Sequence, residues 1–385
     1  MSSPRPREES LRGHTVPWWL GQVALYVLLW LSLIKLPDPP STGLDASWRM
    51  VISYAVDHGL QFGKDITFTY GPMGYLLSYT YAGKLLAGNW VWQIAGNLFI
   101  AAGLWRFGTM LRGVRMAVYY VFLFCFGSIF SDAMLMNFII VFAMLLIRAE
   151  FQRWYWLASI AGFFAIFSLM KFTSLFLCGF IIVVACAYFW WNQLRREAAV
   201  LAGSFAIAFL AGWVGYGQTV SGLVDFIRYG LEVSLGYPGA MAENPAPQIF
   251  WLGLIAAAGI AGYFVLFFVG EPDRLKAAYG VLVLGGIGLL NWKHGFTRAD
   301  GHVLAHFIPI LMIVCSYPAL TDDSGRRSQA KAAALVVSAL ACVAGMASFM
   351  SLSVTMAPYS WNRRVVEAAR ALGSLSSQRA ELEAA

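Results

Sequence analysis

The residues best suited to chemistry in this chain lie in one polar, aromatic-rich stretch, Leu44 to Leu76. The stretch carries three carboxylates, Asp45, Asp57 and Asp65, and a Tyr70-Gly71-Pro72 turn. It lies between two long apolar runs, so its charges are held close to a membrane face. Charge in such a place is costly unless it is used, which makes the stretch a candidate functional site.

The segment from Asp45 to His58 predicts an amphipathic helix, because apolar residues recur along one side at helical spacing. Such a helix would lie along the membrane surface with its apolar side toward the lipid. Asp45 at its start and Gly59 at its end are also ordinary helix-capping residues. Catalysis and capping are therefore both open for Asp45 on local grounds.

Two further charged residues interrupt apolar runs. Asp132 belongs to a very short hairpin, where it is either a helix cap or a second acid in the same cavity as Asp45. In that cavity it would act as a general base or as a partner of a metal or a substrate hydroxyl. Lys171 is either an interfacial anchor or an ammonium group that pairs with an anionic headgroup or phosphate.

Basic side chains also gather in residues 291–302, which read NWKHGFTRADGH. Lys293, Arg298 and His302 favour an anionic partner, and a lipid phosphate or pyrophosphate is the natural candidate. His302 and His306 have the i, i+4 spacing of metal ligands, but two imidazoles without a third ligand are a weak signal. We therefore predict no metal site.

The composition is that of a polytopic membrane protein. The 385 residues are 59% hydrophobic and 12% charged, and they include 15 tryptophans, which suits many side chains at membrane interfaces. The net charge of +7 comes from small basic clusters between apolar runs, so we expect no nucleic-acid partner. The five cysteines all lie in apolar runs without a pairing pattern, which argues against a disulfide framework.

The fold predicted from these runs is all-α, with about 11 transmembrane helices and the amphipathic helix in the first outer loop. The predicted spans are 17–36, 88–108, 115–131, 132–148, 155–170, 173–191, 198–217, 249–269, 276–291, 303–319 and 332–351. The predicted domains are an N-terminal segment 1–16, a transmembrane domain 17–355 that includes the outer loop 37–87, and a short C-terminal tail 356–385.

The distribution of Lys and Arg predicts the orientation. Basic residues concentrate in the segments that face inward when the N-terminus is cytoplasmic. The acid-bearing loop, Asp132, Lys171, residues 291–302 and the C-terminal tail would then share the outer face. In a bacterium, this places the chain in the inner membrane with these segments in the periplasm.

The order of these features resembles the GT-C superfamily of membrane glycosyltransferases, in the branch of protein mannosyltransferases and aminoarabinose transferases. In that branch an acid follows the first span, a Gly-x-x-x-x-x-Asp segment comes next, and an aromatic-rich turn ending in Pro follows. The matching residues here are Asp45, the segment from Gly59 to Asp65, and the segment from Phe68 to Leu76.

Later features of the family also have counterparts. Its second acid falls on Asp132, its outer lysine on Lys171, and its basic, His-bearing stretch on Arg298 to His306. The chain departs from the family in two ways: Ala46 follows Asp45 where a second acid is usual, and the outer C-terminal domain is reduced to a short tail.

The resemblance implies an inverting transfer of a sugar from a polyprenyl-phosphate donor to a periplasmic or lipid-linked acceptor. Asp45 would deprotonate the acceptor hydroxyl, and Asp132 would orient the acceptor or hold a divalent cation. The implied donor-phosphate ligands are Lys171, Lys293, Arg298 and His302, and the implied substrate pocket contains Asp65, Tyr70 and Tyr75. The expected partners are the lipid-linked donor, a lipid or glycan acceptor, and membrane lipid.

Two alternatives come from other functional classes. One is a transporter or flippase for a lipid-linked or anionic substrate, although the unusual polar residues lie mostly on one face. The other is a non-catalytic relative that acts as an assembly partner, which the missing acid after Asp45 and the short tail favour.

Overall fold

The computed structural model describes residues 18–78, 80, 83–127, 129–316 and 328–384. Over these residues the chain is all-α, 80% helical and without strands, as predicted. Its α-helices are α1 Trp18–Leu33, α2 Leu44–Asp57, α3 Tyr75–Ser78, α4 Leu86–Val91, α5 Asn97–Gly108, α6 Val114–Phe126, α7 Ser131–Leu146, α8 Trp154–Met170, α9 Phe172–Trp191, α10 Arg195–Gly215, α11 Gly222–Met241, α12 Pro247–Gly270, α13 Arg274–Thr297, α14 Leu304–Ser316, α15 Ser328–Ala347, α16 Leu352–Met356, α17 Pro358–Gly373 and α18 Leu375–Ala384.

Several of these helices are suited to a membrane. Among the described residues, five helices are long and apolar enough to cross one, namely α9, α10, α12, α13 and α15. Shorter apolar helices accompany them, and these include α1, α6, α7, α8 and α14. At most 44% of the most apolar part of each long helix is buried inside the protein, which leaves apolar side chains to face lipid. The chain is therefore a membrane-embedded protein by the length and composition of its helices.

The central helix of the bundle is α7. Every residue from Ala133 to Leu146 is buried, as expected for a helix that is apolar on all sides. Helices α5, α8, α9, α13 and α14 pack around it. Asp132 lies in the first turn of this helix, so its carboxylate stands where the central helix reaches one end of the bundle.

The predicted amphipathic helix is present as α2, one residue from each predicted boundary. Gly43 occupies the N-cap position, so Asp45 is a residue of the first helical turn and not the cap. Gly59 follows the helix with a φ of +67°, the left-handed conformation that glycine adopts readily. The apolar side is covered mainly by protein, because Ile52 and Ala55 are fully buried. Our expectation that this side faces lipid was therefore wrong for these two residues.

Residues 218–248 lie between two of the predicted spans, and most of them form the helix α11. Phe226 and Gly230 of this helix are buried against the ring of Phe172. The backbone of α11 also approaches the loop of residues 37–87, named the first outer loop after its predicted orientation, since a Cβ at Gly63 would lie 2.3 Å from the backbone nitrogen of Phe226. The helix thus packs as a cover beside the first outer loop.

The C-terminal tail packs against the bundle. Ala368 and Ala371 of α17 are buried in a cluster with Ile34 and Trp90. The guanidinium of Arg364, also on α17, donates a 2.6 Å hydrogen bond to the backbone carbonyl of Phe124 near the end of α6. The tail is therefore joined to α1 and α6 by both apolar and polar contacts.

Candidate functional site

Asp132 lies at the centre of a buried polar group. Its Oδ1 is 2.5 Å from Nζ of Lys171, and its Oδ2 is 3.0 Å from Nε2 of His294. The side chains of Asp132, Lys171 and His294 are 14%, 8% and 27% exposed. A carboxylate only accepts hydrogen bonds, so Nε2 of His294 donates to Asp132.

A break between two helices positions Lys171. Helix α8 ends at Met170 and α9 begins at Phe172, and the first outer loop pairs with this break. The backbone nitrogen of Gly71 donates to Met170 at 3.1 Å, and that of Phe172 donates to Thr69 at 2.9 Å. This pairing requires a small residue at position 71, because a Cβ there would lie 2.4 Å from the carbonyl oxygen of Leu169. The Tyr70-Gly71-Pro72 turn thus brings the loop onto Lys171.

Aromatic rings from the first outer loop cover the ammonium group of Lys171. Its Nζ lies 5.2 Å from the centre of the Tyr70 ring, within the range of a cation–π contact. The Tyr70 ring stacks on Trp48 at 4.8 Å and on Phe68 at 5.8 Å. The three rings form an aromatic stack, a surface suited to the apolar face of a sugar or to a lipid chain.

For both Lys171 and Tyr70, burial shifts the pKa in one direction and the neighbouring charge shifts it in the other. Burial tends to lower the pKa of Lys171, but the Asp132 carboxylate outweighs it and holds this pKa above its usual value. Burial raises the pKa of Tyr70 to about 12, although the nearby Lys171 ammonium acts to lower it. Lys171 is therefore a cation and Tyr70 a neutral phenol across the physiological pH range.

Arg298, Asp300 and His302 form a second polar group, which again combines a cation, a carboxylate and an imidazole. The Asp300 Oδ2 is 2.8 Å from Nε of Arg298, and its Oδ1 is 2.5 Å from Nδ1 of His302. Burial acts to raise the pKa of Asp300, but the hydrogen bonds from His302 and the charge of Arg298 outweigh it and lower this pKa. Tyr237 of α11 also lies near Arg298, which connects the group to that helix.

The two polar groups meet through their imidazole rings. The ring centres of His294 and His302 are 6.1 Å apart. Each ring is fixed by a carboxylate on one nitrogen, and each carboxylate is held by a cation on its other oxygen. Nδ1 of His294 and Nε2 of His302 are therefore the ring nitrogens that are not bonded to a carboxylate. Imidazoles oriented in this way are suited to accept or pass on protons.

Three of the predicted site residues lie outside these contacts. Asp65 accepts a 2.9 Å hydrogen bond from the backbone of Gln61 and so closes a turn. The hydroxyl of Tyr75 is 2.8 Å from that of Tyr216, at the end of α10. Lys293 is exposed, and it forms no ion pair within the described ranges. The side chain of Asp45 lies outside the described residues.

Sequence reasoning missed His294, although it follows Lys293 directly. The predicted span ended at 291, whereas α13 continues to Thr297. In a continuous helix, neighbouring residues point about 100° apart, so only one of the two can face Asp132. Asn291 lies three residues before His294 on the same side of α13 and is buried. Two polar residues at this spacing at the end of an apolar run are the sequence signal that favours His294.

No group of three or more metal-ligating side chains occurs among the described residues. His306, the possible partner of His302, is fully buried and packs edge-on against the rings of Trp292 and Phe296.

No family model matches this chain, and neither does any curated protein or solved structure. The resemblance to the GT-C superfamily therefore depends on the residues quoted for it.

Proposed function

We propose that this protein is a membrane glycosyltransferase that moves a sugar from a polyprenyl-phosphate donor to a hydroxyl acceptor. The observation that carries the proposal is the polar site at one end of an apolar bundle. There, two cation–carboxylate–imidazole groups lie beside an aromatic stack of Trp48, Phe68 and Tyr70. The site offers proton acceptors, cations and aromatic surface where a lipid-linked substrate can reach them from the membrane.

The proposed setting is the bacterial inner membrane, crossed by about 11 helices. The N-terminus is cytoplasmic, and the polar site and the C-terminal tail face the periplasm. The Lys and Arg distribution supports this orientation. The outer loop, the start of α7, the break at Lys171 and the end of α13 are all at one end of the bundle, which supports a single outer site.

The reaction needs a base for the acceptor hydroxyl. Both oxygens of Asp132 are already engaged, so in this proposal it positions Lys171 and His294 and does not itself take the proton. Asp45 is the base that the GT-C resemblance implies. The acceptor oxygen then attacks the anomeric carbon, and the bond to the phosphate oxygen breaks with its electron pair on the leaving polyprenyl phosphate.

The leaving phosphate needs positive charge beside it. Lys171 and Arg298 are each paired with a carboxylate, which offsets part of their positive charge. They therefore orient the phosphate more than they neutralise it. Lys293 is exposed and lies next to His294, and it adds a cation without a carboxylate partner among the described residues. The donor phosphate is therefore assigned to the side of the site where Lys293, Arg298 and His302 lie.

Transfer in membrane vesicles tests the proposal. A panel of polyprenyl-phosphate sugars would be offered to the wild type and to Asp45→Asn. The matched control is Asp57→Asn, which removes a carboxylate from the same helix. The Asp57 carboxylate lies 3.5 Å from the amine of the exposed Lys84. We expect donor-dependent product with the wild type and the control, and at least a hundredfold less with Asp45→Asn. Equal product from all three would remove Asp45 from the mechanism, and no product with any donor would contradict the transferase.

One observation also favours a transporter. Ionisable groups follow one another from Lys171 through Asp132, His294, His302 and Asp300 to Arg298, an order that is typical of proton relays. A transporter would give no transfer with any donor, but it would move a lipid-linked or anionic substrate across the vesicle membrane. Measurement of internal pH in the same vesicles separates the two functions.

A further inference from the structure

A cavity of about 470 Å³ lies at the end of α8 remote from Lys171. Its walls come from Ala149, from residues 152–155 and from Leu157 around the start of α8, and from Arg196, Glu197 and Val200 in the first turns of α10. Since α8 is 17 residues long, the cavity is about 25 Å from the Lys171 break. It is therefore separate from the polar site described above. Its volume is that of a small-molecule or headgroup site.

The lining of the cavity combines positive charge with an apolar floor. Arg153 and Arg196 both line it, whereas Glu197 is its single carboxylate. Arg153 donates a 3.1 Å hydrogen bond to the hydroxyl of Tyr155, which fixes one guanidinium at the wall. Leu157, at the floor, is fully buried. A ligand must therefore be anionic at one end and able to lie against apolar side chains.

The surroundings of the cavity are those of a membrane interface. Trp154 is 63% exposed and Tyr155 is 39% exposed, and Trp190 and Trp191 are exposed at the nearby end of α9. Such exposed aromatic rings are typical of the headgroup level of a bilayer. Only 22% of the most apolar part of α10 is buried inside the protein, so the side of this helix offers a long apolar surface.

We propose that this cavity binds the phosphate head of an anionic phospholipid, with the acyl chains lying along α8 and α10. Arg153 and Arg196 hold the phosphate, Gln152 adds a polar contact, and Glu197 limits the affinity by its negative charge. The apolar floor and the exposed aromatic rings favour a lipid over a free phosphate ion. The site does not depend on the proposed transferase, because it lies at the other end of the bundle.

Native mass spectrometry of the purified full chain tests this site. The protein would be exchanged into equal amounts of phosphatidylglycerol and phosphatidylcholine, and the lipid retained per chain would be measured. We expect the wild type to retain phosphatidylglycerol in preference. The double variant Arg153→Gln/Arg196→Gln should bind it about tenfold more weakly or worse, because each nearby cation contributes on the order of a fewfold in affinity.

Two further variants distinguish loss of the site from misfolding and from a general loss of positive charge. Glu197→Gln should retain more phosphatidylglycerol than the wild type, and this gain cannot come from misfolding. The control Arg112→Gln/Arg195→Gln removes the same charge outside the cavity, since Arg195 lies 4.9 Å over the Trp190 ring and Arg112 belongs to another loop. It should retain as much lipid as the wild type.

Three results would overturn the site. One is equal loss in the control, which would indicate only general attraction to a basic surface. Another is equal retention of the two lipids by the wild type. The third is full displacement of the lipid by inorganic phosphate, which would indicate a simple anion site. Transfer activity is measured separately, so failure of this site and failure of the proposed function are distinguishable.

Discussion

At the residue scale, the buried pair of Asp132 and Lys171 sets the character of the site. The Asp132→Asn change leaves the Lys171 ammonium in an apolar bundle without its carboxylate, and we expect a loss of about 3–5 kcal/mol in stability. The paired variant Asp132→Leu/Lys171→Met removes both charges and should recover most of that loss. Unfolding of the wild type and of the two variants in detergent measures the three free energies.

Asp57→Asn is the matched control for this comparison. The contact between Asp57 and Lys84 is exposed to solvent, so its loss should change the free energy of unfolding little. A paired variant that is no more stable than Asp132→Asn alone would contradict the account, because the penalty would then not come from an unpaired buried charge.

Asp300 gives the site a pH dependence with a definite sign. Its pKa in the folded protein lies below the ordinary carboxyl value because His302 and Arg298 outweigh the effect of burial. A lowered folded pKa stabilises the protein above the unfolded pKa, and this contribution is lost as the pH falls through the folded value. The stability difference between wild type and Asp300→Asn should therefore persist from pH 8 to about 4 and shrink below it.

Melting temperatures of the two proteins across this pH range measure the difference. A difference that already disappears between pH 7 and pH 5 would mean that the Asp300 carboxylate is not held in the ionised form by its neighbours.

At the element scale, the pairing of the first outer loop with the break between α8 and α9 creates the site. Gly71→Ala places a methyl group 2.4 Å from the carbonyl of Leu169, so the loop must move away. We expect a loss of about 1–3 kcal/mol in stability, together with exposure of the Lys171 amine. Amine labelling followed by mass spectrometry measures the second effect directly.

Gly162→Ala is the matched control, since this glycine lies within α8 and a Cβ there would contact nothing within 4 Å. Alanine is also a better helix former than glycine, so this variant should be at least as stable as the wild type. Labelling of Lys171 that is equal in the two variants would contradict the proposed role of the loop.

The elements themselves were largely predictable from the sequence. Long apolar runs predict helices reliably, and the long apolar helices fall on predicted spans, whereas α11 lies between two of them. The loop pairing was not predictable, because it depends on backbone hydrogen bonds between residues about 100 positions apart. The glycines of the loop motif carried the signal, since Gly63 and Gly71 are required where other backbone comes close.

At the scale of the whole molecule, the helices expose apolar side chains to lipid, and charged side chains lie at the ends of the bundle. Asp132 and Lys171 could be identified from the sequence as single charges in apolar surroundings. Their contact could not, because 39 residues separate them along the chain. The contact of His294 with Asp132 spans 162 residues and depends on the packing of α13 against α7. Sequence patterns thus singled out Asp132 and Lys171 as candidates, and packing determined their partners.

We propose that the polar group around Asp132 and Lys171 is a transferase site and not only a structural ion pair. Its most direct test is transfer from polyprenyl-phosphate sugars by the charge-free variant Asp132→Leu/Lys171→Met, at the same amount of folded protein as the wild type. We expect a stable protein in which product formation falls at least a hundredfold, since Lys171 and the orientation of His294 are both lost. Wild-type product formation by the folded variant would contradict it.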